Sequence, residues 1–214
     1  MKRLLLVTFV ALLVQGCAAT VETKVTAFHD IAQPLTGTTY AIVPSTEQEG
    51  SLEFQAYAKL VKAELDKRGM AEAPFDQAKY AVFMLYGIND GKQVVASYPV
   101  FGQTGTSGAV TTGRVNTYGS TATYNATTTY TPTYGIVGSG TRSDTVFKRY
   151  LNIDLIDISK SEGGKAHKAY EGKASSEGST GQLASVMPAI VKSVFDDFPG
   201  KSGAVRTVHR QLEK

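Results

Sequence analysis

The chain has 214 residues, 42% of them hydrophobic and 19% charged, with a formal net charge of +3 and one cysteine. A lone cysteine excludes an internal disulfide, so stability has to come from a hydrophobic core, which a chain of this length is able to bury. The densest basic points are Lys67-Arg68 and Lys148-Arg149, too sparse for the concentrated positive field that nucleic-acid binding draws on.

Lys2 and Arg3 precede an apolar run from Leu4 to Val14, broken only by Thr8 and closed by Val14-Gln15-Gly16-Cys17. A positive start, a short apolar stretch and a small residue before the cut are the marks of an export signal. The run falls short of the roughly 20 residues that a membrane-spanning helix needs. Cysteine directly after Gly16 resembles the lipobox of bacterial lipoproteins, with Val14 and Gln15 departing from its common form. The resemblance implies cleavage between Gly16 and Cys17 and lipidation of Cys17. Several acyl chains give a stable anchor where one does not. Ala18, in place of an aspartate, implies sorting to the outer membrane of a Gram-negative cell, with the body facing the periplasm. Removal of residues 1–16 leaves 198 residues and takes Lys2 and Arg3 with it, lowering the formal charge from +3 to +1.

Val21, Thr23, Val25 and Ala27 alternate with polar neighbours, a strand pattern, and residues 38–43 form a β-rich run stopped by Pro44. Phe54, Tyr57, Val61 and Leu65 fall at helical spacing, widened by Leu52 and Leu60. Ser51 or Ser45 is the candidate N-cap, and Lys67-Arg68-Gly69 supplies the stop. Tyr80 to Ile88 is apolar on both faces and predicts a central strand; Asn89-Asp90-Gly91 then turns the chain. Residues 146–158 form a second long strand, with Phe147, Leu151, Ile153 and Leu155 on one face. Ser161-Glu162-Gly163-Gly164 turns into a more exposed strand over residues 167–174. A second helix starts near residues 179–182, with Leu183, Met187, Ile190, Val194 and Phe198 as its buried stripe and Pro188 interrupting it. Residues 206–214 read as a polar tail.

These elements predict an α+β fold: a two-layer sandwich of four to five mostly antiparallel strands with two amphipathic helices on one face. The expected organisation is a signal peptide at 1–16, a lipidated start and first strand at 17–36, and one domain at 37–205 carrying an insertion at 99–145. Tyr40-Ala41-Ile42, the helix ending at Gly69, Tyr170-Glu171-Gly172-Lys173-Ala174 and Phe198-Pro199-Gly200 followed by Gly203 lie in an order that resembles the uncharacterised Gram-negative outer-membrane lipoproteins of the domain-of-unknown-function 4136 type. That resemblance implies an envelope location and a sheet with two helices, and carries no activity or site.

Between Gly102 and Thr145 the only charges are Arg114, Arg142 and Asp144. Tyr118, Tyr124, Tyr130 and Tyr134 all have even numbers, so in one extended chain they share a face; Gly119 and Asn125 are candidate turns, and Pro132 suits an edge. Two readings compete. A low-complexity loop with too little apolar surface to order itself is the favoured one. A tyrosine-faced ribbon that stacks on sugar rings or pairs with another chain is the alternative.

The remaining residues supply no catalytic set. His29, His167 and His209 lack metal-ligand spacing, and Ser139 lacks the setting of a nucleophile elbow. Gly135 to Gly140 lacks the phosphate-loop lysine, and Asp154 and Asp157 point to opposite strand faces. The expectation is a non-enzymatic binding or accessory module with no cofactor and no metal, held to the membrane by lipid and facing an envelope protein or glycan. A glycan-acting enzyme and a component that self-associates through the Thr/Tyr ribbon are the alternatives. Cys17→Ser is expected to move the protein from the membrane to the soluble fraction on cell fractionation; retention of the variant in the membrane would refute lipid anchoring.

Overall fold

The computed structural model describes residues 20–31, 34–162 and 165–212. The expected signal peptide, Gly16 and Cys17, and the Gly163-Gly164 part of the expected turn, lie outside the described residues. Residues Gln93–Thr145 form one compact unit and the rest of the chain another, the body. The elements are β1 (Thr20–His29), β2 (Thr39–Ile42), α1 (Leu52–Asp66), β3 (Ala71–Glu72), β4 (Tyr80–Ile88), β5 (Lys92–Tyr118), β6 (Thr121–Glu162), β7 (Lys165–Gly178), α2 (Leu183–Val194) and β8 (Val205–Gln211). Among the described residues no helix is long and apolar enough to cross a membrane.

The strands form one eight-stranded mixed sheet in the order β3-β2-β4-β6-β7-β1-β8, with β5 paired to β6. This corrects the expected sandwich of four to five strands. Three features enlarge the sheet. The two-residue β3 adds to β2 in parallel. The expected insertion forms β5 and the first half of β6. The expected polar tail is β8, paired antiparallel with β1 from Thr20–Gln211 to Thr26–Val205. The sheet is mixed because β2 also runs parallel to β4, with α1 in the crossover between them, as a parallel connection requires.

Helix α1 begins where Ser51 Oγ accepts the Phe54 N–H at 3.2 Å, which satisfies one of the free donors of the first turn. It ends before Gly69, at φ +75°, where a Cβ would stand 2.9 Å from Thr36 Cγ2. Phe54, Tyr57, Val61 and Leu65 are buried, whereas Leu52, expected in the same stripe, is 80% exposed. In α2 the residues Leu183, Met187, Ile190 and Val194 are buried. The helix stops at Val194, so Phe198 packs from beyond it, 4.6 Å from the Tyr170 ring and 5.0 Å from that of Phe195.

Both helices cover the same face of the body sheet, and their apolar stripes merge with it into one core. Cross-strand register builds that face in rows. Val82 faces Leu155, and Met84 faces Ile153, which faces Gly172 on β7, which in turn faces Ala27 on β1. Leu151 faces Ala174, which faces Val25. The Tyr170 ring lies over Gly172 of β7, where a Cβ would come within 2.6 Å of Tyr170 Cε1, and α2 packs on β1 and β7. Large facing small is how close-packed layers interdigitate.

Arg68, just past the end of α1, joins the two helices. One guanidinium nitrogen donates to the Phe195 carbonyl after α2, and the other donates to Glu64 O at 2.6 Å and Glu64 Oε2 at 3.1 Å. Its carbon lies 5.1 Å from the Phe195 ring centre and 5.8 Å from that of Phe198, within cation–π range. Burial pushes the Glu64 carboxyl up, but hydrogen bonds from Lys67 and Arg68 outweigh it and hold the group below its ordinary value.

Arg68→Ala removes these bonds together and is expected to cost about 2–3 kcal/mol in urea unfolding; a change indistinguishable from zero would contradict the clamp. The lowered Glu64 carboxyl stabilises the fold above the unfolded glutamate value of about 4.3, and that contribution is lost as pH falls through the folded value. Glu64→Gln should therefore show a smaller loss of stability than wild type on acidification from about pH 5 to pH 2, and equal losses would contradict this.

Candidate functional site

Residues 93–145 form a β-ribbon in which threonine, tyrosine and valine supply β-propensity. Its two strands meet at the two-residue turn Gly119-Ser120. Gly119 has φ +62° and no described non-glycine residue has positive φ, which is the type II′ pattern whose twist matches a hairpin. Asn125, the other candidate turn, lies within β6. Side chains bridge the strands: Thr111 Oγ1 meets Thr128 Oγ1 at 2.9 Å and Thr104 Oγ1 meets Thr133 Oγ1 at 3.2 Å. Thr123 Oγ1 donates to Asn116 O at 3.4 Å. The favoured reading of this segment as an unordered loop is thus corrected. A single strand of this composition has no apolar face to bury, but two such strands satisfy each other's backbone and hydroxyl groups.

Pairing also corrects the single tyrosine face. Thr111 meets Thr128, and a Cβ on Gly113 would strike the Tyr124 ring. Odd positions of β5 therefore share a face with even positions of β6. The Thr104–Thr133 contact keeps that phase as far as Tyr134. Tyr118 on β5 consequently lies on the face opposite Tyr124, Tyr130 and Tyr134 on β6. Even numbering aligns residues along one strand and opposes them across a hairpin in this register.

The glycines have a cross-strand role. The Tyr124 ring covers Gly113, and the Tyr98 ring covers Gly140, where a Cβ would come within 2.5 Å of Tyr98 Cζ. An aromatic ring over a glycine restores the packing that the missing side chain gives up. None of residues 93–145 is buried. The ribbon nevertheless holds thirteen of the twenty large hydrophobic side chains that are exposed among the described residues. Tyr118 is 93% exposed, and Tyr124, Tyr130 and Tyr134 are each more than 60% exposed. The ribbon starts before the expected insertion at residue 99 and includes Val94, Val95 and Tyr98, whose β-branched and aromatic side chains were the available signal.

The other residues considered for chemistry take structural posts in the body. His29 Nε2 bonds Gly200 O at 2.9 Å, while the neighbouring Asp30 pairs with His167 Nε2 at 2.9 Å. Asp157 is buried and accepts the Ser159 N–H at 3.1 Å and the Ser159 hydroxyl at 2.6 Å. Asp154 lies on the opposite sheet face and pairs with Lys168 at 2.8 Å. Asp196 pairs with Arg210 and, at 3.8 Å, with Arg206, which ties the segment after α2 to β8. Among the described residues no group of three His, Cys, Asp or Glu side chains is placed to hold a metal. A groove of about 340 Å³ on the open sheet face holds Asp154, Lys168, Glu171 and Lys173. Hydrogen bonding to Lys173 and the nearby Lys168 charge keep Glu171 below its ordinary value.

No curated protein matches the chain. Among solved structures it is similar to a PDZ domain protein from Parabacteroides distasonis, at 13% identity and a TM-score of 0.45 over 95% of this chain, though it spans 42% of that one. Two PelC dodecamer structures from Paraburkholderia phytofirmans share 13% and 12% identity at a TM-score of 0.37, over 84% of this chain and 99% of theirs. A family model described as Domain of unknown function (DUF4136) matches residues 24–200, and the protein belongs to that family.

Proposed function

We propose that the protein is an outer-membrane lipoprotein, anchored through Cys17 with its body in the periplasm, that works as a non-enzymatic binding module and uses the ribbon as its contact surface. The observation that carries this reading is the ribbon itself, a long hairpin with exposed apolar side chains on it and no core of its own. A two-stranded ribbon alone in water is marginally stable, and contiguous exposed apolar surface on a monomer marks a place where something docks. Tyrosine suits such a surface because its ring is apolar and its hydroxyl stays hydrated. The anchor reading rests on the run from Lys2 to Cys17.

The groove on the open sheet face gives little support to glycan hydrolysis. A general acid on that path is a carboxyl kept protonated by a raised pKa, whereas Glu171 is held down and Asp154 is paired with Lys168.

Replacing Tyr124, Tyr130 and Tyr134 together by serine is expected to abolish the adducts that wild type forms on cross-linking in intact cells, with the amount in the membrane fraction unchanged. An unaltered adduct pattern would overturn the ribbon as the contact surface.

A further inference from the structure

Arg149 lies on the core face of β6, between Phe147 and Leu151, in a row where every other long side chain is apolar. It is 3% exposed, and its Nε and Nη2 have no hydrogen-bond partner among the described residues. Register places Arg149 opposite Ser176 on β7, and Ser176 opposite Thr23 on β1. Those hydroxyls are 2% and 0% exposed and also have no partner. Burial lowers the guanidinium pKa, and no carboxylate among the described residues offsets it. A lone buried cation is strongly destabilising unless an anion reaches it.

The chain above this row provides the rest of an anion cradle. Strand β7 ends at Gly178, and Gly178-Ser179-Thr180-Gly181-Gln182 leads into α2. A Cβ at Gly178 would stand 2.7 Å from Arg149 Nη2, and one at Gly181 would stand 2.9 Å from the Phe147 ring. Both glycines therefore let the loop approach the guanidinium side of the strand. Helix α2 has no side-chain hydrogen bond at its N-cap Gln182 and no acidic residue in its first turn, so its first N–H groups and positive dipole end are uncompensated. Residues 179, 181 and 182 are exposed, so the outer side of this junction faces solvent.

We propose that the β7–α2 junction binds a phosphate group, held by Arg149 from the strand side, by the N–H groups of residues 178–183 from the loop side, and by the Ser176 and Thr23 hydroxyls beneath. The guanidinium fork takes two oxygens of a phosphate. A glycine loop between a strand and a helix start takes the others. The same chemistry fits a free phosphate ester or a lipid headgroup.

Thermal unfolding of the full-length purified chain in inorganic phosphate, against chloride at matched ionic strength, is expected to show a saturable rise of about 3–5 °C. Arg149→Met should abolish that rise, and Arg149→Lys should weaken the apparent affinity about tenfold or more by losing the fork. In a Cys17→Ser background, Arg149-dependent co-sedimentation with phosphatidylglycerol vesicles, absent with phosphatidylcholine, would assign the lipid headgroup; a response to inorganic phosphate without co-sedimentation would assign the free ester. No phosphate response in wild type, or an equal response in Arg149→Met, overturns the proposal. Should Arg149→Met fail to fold, the wild-type amide signals of Gly178 and Gly181 decide it, since phosphate must shift them and unmoved signals refute the site.

Discussion

Every element of the body is placed by one constraint: the sheet hides a single face. Leu151, Ile153 and Leu155 on β6 have no accessible surface, and the rows running from them across β4, β7 and β1 define where both helices must lie. The amphipathic stripes of α1 and α2 find no other surface that takes them out of water, the main favourable term in folding. Arg68 then fixes where the two helices end, through Glu64 on one side and the Phe195 carbonyl on the other. The opposite sheet face stays open, with Phe83 and Leu85 partly solvated beside an ion-paired strip of Asp154, Lys168, Glu171 and Lys173.

Much of the body was legible because its signals are local. Ser51 caps a helix whose buried positions recur at helical spacing, Gly69 stops it in a conformation that glycine adopts without strain, and Tyr80–Ile88 carries its strand pattern openly. What escaped was pairing. Strand β8 reads as a polar tail because Arg206 and Arg210 occupy the positions where apolar residues are expected, and their charges are met by Asp196, which lies just after α2, outside the strand and invisible to its periodicity. Strand β3 has only two residues and exists because β2 accepts it. The size of the sheet follows from such partnerships, and no single segment announces them.

The ribbon shows the same limit from another side. Its strands have no apolar stripe to declare, so composition alone favours a loop, yet threonine pairs and tyrosine rings over glycines stabilise it across the strands. The tyrosine faces depend on hairpin register, which even numbering along the chain does not contain. Arg149 is the converse case. A charged residue between Phe147 and Leu151 on an otherwise apolar face was a readable signal, but its weight becomes clear only when Ser176, Thr23 and Gly178 are brought beside it.

The body is held by burial and the ribbon by pairing alone, and amide hydrogen exchange along β6 separates the two most directly. The amides of Leu151, Ile153 and Leu155 should exchange only through global unfolding, while those between Thr121 and Thr145 exchange measurably slower than an open chain but orders of magnitude faster than the core. Ribbon amides exchanging at open-chain rates, or protected as strongly as the core strand, would contradict this division.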